Sequence, residues 1–130
     1  MPKKVVLIGH CGADASYLRI TVSRAARDAQ VVAADDEREL TQVLEAGRVE
    51  LLLVNRQLDY GFLEENGAEL IGRLRAKYPN LKTMLVSNYE DAQAEAVAAG
   101  ALPGFGKREI GTPRVTQLLQ QALAGTVQPA

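Results

Sequence analysis

Two unmixed apolar runs, Val5-Val6-Leu7-Ile8 and Leu51-Leu52-Leu53-Val54, constrain this chain's fold most strongly. In a strand, successive side chains point to opposite faces, so a half-exposed strand alternates apolar and polar residues. A short run without alternation is a strand covered on both faces, and such strands belong to parallel sheets. The spacing predicts strands at 4–8, 30–33, 51–54, 83–86 and 102–105, separated by amphipathic stretches. Helix start and stop signals fill the gaps. Asp14 is expected to cap a helix running to about Asp28, and Asp36 with Glu39 to open one ending at Gly47. Asn66 precedes a helix at 67–77, and Asn88 with Asp91 opens a short helix closed by Gly100. Thr112-Pro113 places a cap and a first-turn proline ahead of a last helix to about Leu123. Alternating strand–helix units of this size imply an α/β, doubly wound parallel sheet with helices on both faces.

Bulk properties narrow the function classes. A length of 130 residues fits one domain, placed at residues 1–125, with 126–130 as a frayed tail. A formal net charge of −1 gives no basis for a nucleic-acid or anionic-membrane partner. The apolar runs are far too short to span a bilayer. Lys3-Lys4 before the first run lacks the apolar length and cleavage site of a signal peptide. The single cysteine, Cys11, excludes an internal disulfide, and a reducing, cytoplasmic setting is expected.

In such a sheet, ligands bind beyond the carboxyl ends of the strands, near the reversal of strand order. The candidate residues are therefore Gly9, His10, Cys11, Asn55, Arg56, Gln57, Ser87, Asn88, Lys107 and Arg108. Each has a bland reading beside its functional one. Asn55 can bind a ligand through its amide or merely tie a loop. Ser87 can bond an anion or serve a turn. Lys107 can serve a pocket, or turn to Asp14, Asp35, Asp59 or solvent. His10 and Cys11 are adjacent, and two ligands alone do not make a zinc site. Cys11, between a strand and a helix, can be a nucleophile or a small structural thiol. Gly9 and Gly12 lack the third glycine of a dinucleotide fingerprint.

Three segments carry a family likeness. They are the frame of residues 51–78, including Gly67-Ala68-Glu69-Leu70-Ile71; the segment Leu85-Val86-Ser87-Asn88; and Gly100-Ala101 followed by Lys107. In order and spacing they resemble the receiver domain of two-component response regulators. The resemblance implies a flavodoxin-like, five-stranded sheet of order 2-1-3-4-5 with five helices. It also implies an aspartate phosphoacceptor at position 55, two magnesium-binding acids at positions 9 and 10, and a phosphoryl-reading pair at Ser87 and Lys107. This chain carries Asn55, Gly9 and His10 instead. An amide nitrogen is not a nucleophile, so Asn55 cannot form an acyl phosphate. The aromatic switch position of receivers falls on Gly104, with Phe105 one place later, and Arg108 replaces the usual proline after the lysine. The loop at 58–66 is long.

The reading is a non-phosphorylatable, receiver-like signalling module acting by protein contact, with a signalling protein or a second copy as partner. No enzyme activity, catalytic residue, metal or cofactor is expected. Gly9, His10, Asn55, Ser87 and Lys107 mark the degenerate site, whose excess of donors is expected to suit a small anion or an acid from the loop at 58–66, namely Asp59, Glu64 or Glu65. The alternatives are a Cys11-dependent phosphocarrier or thiol enzyme, and a sensor of a small anionic ligand at Lys107.

Overall fold

The computed structural model describes residues 3–58 and 61–124. Five strands form one sheet: β1 (Lys4–Ile8), β2 (Gln30–Ala34), β3 (Val49–Asn55), β4 (Lys82–Val86) and β5 (Leu102–Phe105). Between and after them lie α1 (Gly12–Ala25), α2 (Glu37–Ala46), α3 (Gly67–Lys77), α4 (Glu90–Ala98) and α5 (Pro113–Ala122), with a short 3-10 turn at Lys107–Glu109. The order is β2-β1-β3-β4-β5 and all pairings are parallel. The expected strands and sheet order are those observed. The 126–130 tail lies outside the described residues.

The apolar runs are unmixed because both faces of β1 and β3 are covered. Val6, Ile8, Leu52 and Val54 pack against Leu40, Leu70, Ile71, Leu74 and Ala96, the side of α2, α3 and α4. Val5, Leu7, Leu51 and Leu53 pack against Leu18, Val22, Val115 and Leu119, the side of α1 and α5. All eight strand residues are at most 1% exposed. Each such side chain contributes about 1.5–3 kcal/mol by leaving water.

Two helix starts differ from expectation. α1 begins at Gly12 with Cys11 at its cap position, and no side chain caps it. Asp14 therefore sits inside the first turn, where a carboxylate still faces the positive helix end. α4 is entered through Tyr89; Asn88 instead accepts a hydrogen bond from the Arg108 backbone N–H (3.1 Å). The other caps hold. Asp36 accepts from Glu39 N, Asn66 from Glu69 N, and Thr112 from Val115 N.

The sheet is irregular where β4 meets β5. Met84 pairs with Leu102 but Val86 with Phe105, so β5 carries one extra residue. Pro103 and Gly104 form this bulge. A Cβ on Gly104 would lie 2.1 Å from the Leu85 carbonyl oxygen and 2.9 Å from Gln93 Oε1. Substituting Gly104→Ala should therefore cost about 1–3 kcal/mol or more, as overpacking against backbone does. Urea unfolding of the variant checks this, and wild-type stability would contradict the close approach.

Candidate functional site

At the end of β1 the chain turns through Gly9 with φ 74°, a left-handed conformation that favours glycine. The space beside it is already filled. A Cβ on Gly9 would lie 2.7 Å from Leu58 Cδ2 and 3.9 Å from Phe62 Cε2. Leu58 is buried and Phe62 packs on the same core face. Both come from the long loop after β3, which is strapped down at several points. Gln57 and Asn66 form an antiparallel bridge, and Leu58 N donates to Glu65 O (2.9 Å). Glu37 N donates to Gly61 O (2.6 Å), and Arg73 joins Glu64 (2.5 Å) to Glu37 (2.8 Å). The loop thus brings aliphatic and aromatic carbon to the end of β1.

At the end of β3, Asn55 Nδ2 donates to Gly9 O (3.1 Å) and to Gln57 O (3.0 Å). Both partners are carbonyl oxygens, so the nitrogen must be the atom that faces them. One amide thereby ties β3 to the β1 turn and to its own loop. His10 extends the same junction, with its Nε2 2.8 Å from Leu53 O. A carbonyl partner requires Nε2 to carry the proton, which leaves Nδ1 with a lone pair. His10 Nδ1 and Asn55 Oδ1 are both buried acceptors without a hydrogen-bond partner among the described residues. Burial lowers the His10 pKa from its ordinary 6.5 and the nearby Lys107 lowers it further, against opposing effects of the Leu53 bond and Asp14.

Lys107 reaches back to α1, where its Nζ lies 3.2 Å from Asp14 Oδ2. Of the acids expected within its reach, Asp14 is the lysine's partner among the described residues, while Glu64 of the long loop is taken by Arg73. The reason is geometric, because the loop is held toward α2 and α3, away from α1. Asp59 lies outside the described residues. Ser87 is buried, and its hydroxyl accepts from Tyr89 N (3.1 Å), closing the turn into α4. The guanidinium of Arg56 lies 4.6 Å from the centre of the Tyr89 ring.

Asn55, Ser87 and Lys107 line one cavity of about 170 Å³ with Arg56, Gln57 and Asn88. Gly9 and His10 lie outside its lining, and Arg108 lines a separate groove between α4 and β5. Cys11 is exposed at the start of α1, away from this cavity. At the aromatic switch position, Gly104 has no room for a side chain. Gln93 fills the place, its Nε2 donating to the carbonyls of Leu85 (2.9 Å), Ser87 (3.1 Å) and Phe105 (3.2 Å). Phe105 is 2% exposed and points into the core between the sheet and α5.

The magnesium implied by the receiver resemblance does not fit these residues. It demands hard oxygen ligands in a tight octahedron. The junction offers an aliphatic cover over Gly9, an imidazole tied to Leu53, and one neutral amide oxygen. Among the described residues no three His, Cys, Asp or Glu side chains gather around a common point.

Sequence reasoning missed Leu58, Phe62 and Gln93. The first two carried a faint signal, being apolar residues in a long loop directly after a buried strand. Gln93 carried none, since a glutamine on an alanine-rich helix reads as solvated.

No protein-family model matches the chain, and no curated protein matches it. Solved structures do. A response regulator from Thermotoga maritima superposes with a TM-score of 0.73 at 19% identity, over 96% of this chain and 100% of that one. The signal receiver domain of a DNA-binding response regulator from Colwellia psychrerythraea gives 0.74 at 14%, over 94% and 98%. NtrX from Brucella abortus gives 0.79 at 14%, over 95% of this chain and 28% of that one. The receiver-type fold, with its 2-1-3-4-5 sheet, is the fold of this chain.

Two measurements probe the junction. Asn55→Asp sets a carboxylate oxygen against two carbonyl oxygens and should cost about 1–3 kcal/mol at neutral pH. The neutral acid is favoured in the fold, so the folded-state pKa of the new carboxyl is raised. The penalty should therefore shrink as pH falls toward the unfolded value of about 4. Urea unfolding at both pH values checks it; a pH-independent penalty would contradict the contact. For His10 the folded-state pKa lies below 6.5, so the unfolded chain binds more protons beneath that pH. Stability should fall as pH drops from about 6.5. His10→Gln, which keeps an amide donor for Leu53 O, should show a smaller drop in paired melts.

Proposed function

We propose that this chain is a receiver-fold signalling module that works by protein contact and does not accept a phosphoryl group at position 55. Residues 1–125 act as one unit in this reading. The observation that carries it is the amide of Asn55, spent on the carbonyls of Gly9 and Gln57 at the end of β3. The resemblance assigns an acceptor carboxylate to that position, and here the position is a neutral structural tie. The Leu58 cover on Gly9 and the imidazole of His10 support the same reading, because neither supplies a carboxylate for a metal. Phosphoryl transfer needs charge on the incoming oxygens to be neutralised at the moment of attack. The Lys107–Asp14 pair supports a fixed state, since it holds the lysine without any ligand.

Receivers signal by changing which surface they present, and a receiver without an acceptor presents one surface continuously. The structural neighbours are response regulators and receiver domains, which favours a signalling role over a metabolic one. Nothing in the surroundings of Cys11 favours the thiol-enzyme reading. A protein partner is the expected target; the described residues contain no helix long and apolar enough to cross a membrane.

Incubating the chain with acetyl phosphate and magnesium, followed by intact mass and peptide mapping, tests the proposal. The expected result is an unmodified mass. A single phosphoryl addition within residues 49–58 would overturn it, and an addition on Cys11 would establish the phosphocarrier reading instead.

A further inference from the structure

Two surfaces carry unpaired charge together with exposed apolar side chains, and they carry opposite signs. The first is the outer face and C-terminal end of α1. Tyr17 is 63% exposed and Ile20 51% exposed, although a helix in this fold normally turns such residues inward. Ile20 lines a shallow groove with Arg19, Ser23, Arg24 and Arg27. Arg24 and Arg27 are exposed and have no ion pair among the described residues. The second surface is the groove between α3 and α4. Tyr89, 61% exposed, lines it with Glu90, Asp91 and Glu95. These three acids are exposed and likewise have no ion pair among the described residues. The groove also contains Arg56, whose guanidinium is stacked over Tyr89. Asp91 and Glu95 stand four apart on α4, where like charges oppose each other.

We propose that the basic face of α1 docks into the acidic α3–α4 groove of a second copy of this chain. Charge and position together dictate the symmetry. A two-fold contact either sets one patch against itself or brings both patches of each copy into a single interface. The first would put Arg24 and Arg27 against arginines, or Asp91 and Glu95 against acids, and like charges across an interface are strongly rejected. The second needs both patches on one face, whereas α1 covers one side of the sheet and α3 and α4 cover the other. The contact is therefore head-to-tail. Tyr17 and Ile20 meet Tyr89 at its centre, where apolar and aromatic residues hold an interface. The two surfaces lie on opposite sides of the sheet, so each copy donates one and accepts on the other. Assembly is then open-ended and grows with concentration. It also offers the proposed module a way to act on its own copies, and it does not depend on that reading of position 55.

Sedimentation velocity of the intact chain, from micromolar to millimolar at low salt, provides the test. The expected wild-type mass climbs past that of a dimer and collapses to monomer at high salt, where screening removes the charge term. Arg24→Gln/Arg27→Gln and Asp91→Asn/Glu95→Gln should each weaken association by about tenfold or more. All four positions are exposed, and thermal melts verify the fold. The decisive sample mixes the two variants. One retains an intact groove and the other an intact α1 face, so the mixture should form a one-to-one pair and stop there. A wild type that stays monomeric at low salt would overturn the proposal. So would wild-type growth that ends at a dimer, a variant that associates like the wild type, or a mixture that fails to pair.

Discussion

Burial of β1 and β3 on both faces is the constraint from which the rest of this structure follows. The side chains of residues 5–8 and 51–54 have no access to water, so neither segment can carry a polar side chain. Their backbones pair in parallel ladders, β1 with β2 and β3, and β3 with β4. Polar chemistry can begin only where the ladders stop. Gly9, His10 and Asn55 are the first residues past or at that limit, and they carry the junction. Their environment is half interior, which sets the terms of the exchange: any charge placed there needs a partner, and any polar atom needs a bond.

The junction meets the first of those terms with neutral groups, and it leaves two acceptors, His10 Nδ1 and Asn55 Oδ1, without a hydrogen-bond partner among the described residues. An amide bridges two carbonyls, an imidazole donates to a third, and a leucine closes the space above Gly9. A cluster of carboxylates at the same place would need a cation to be tolerable. The neutral groups present create no such need, and Lys107 pairs with Asp14 from a neighbouring helix. The pair is partly exposed and contributes little to stability. Its effect is positional, because it draws Lys107 toward α1 at one edge of the cavity it shares with Asn55 and Ser87.

Much of this was legible in the residues. The strands were readable because burial on two faces abolishes the period-two alternation, and the caps at Asp36, Asn66 and Thr112 because their chemistry is local. Asn88 misled because a short polar residue ahead of a helix looks like a cap whether or not its side chain turns that way. Here it turns to the backbone of Arg108, twenty positions along. The identities at positions 9, 10 and 55 were legible as departures from the receiver pattern, but the contacts around them come from non-local packing. Leu58 over Gly9 and Gln93 across three carbonyls join segments that no periodicity links. Lys107 had several acids within reach, and with Glu64 drawn to Arg73 its partner among the described residues is Asp14.

The bulge at Pro103 and Gly104 has a consequence for the outer margin of the sheet. β5 is an edge strand, and a flat edge with free amides is a template on which a foreign strand can zip. Proline contributes no amide hydrogen there, and the extra residue throws the spacing of the remaining donors out of step. An incoming strand would find its hydrogen bonds interrupted after one or two pairs. The same irregularity that lets Gln93 staple β4 to β5 thus guards the protein against growth of its sheet into aggregates.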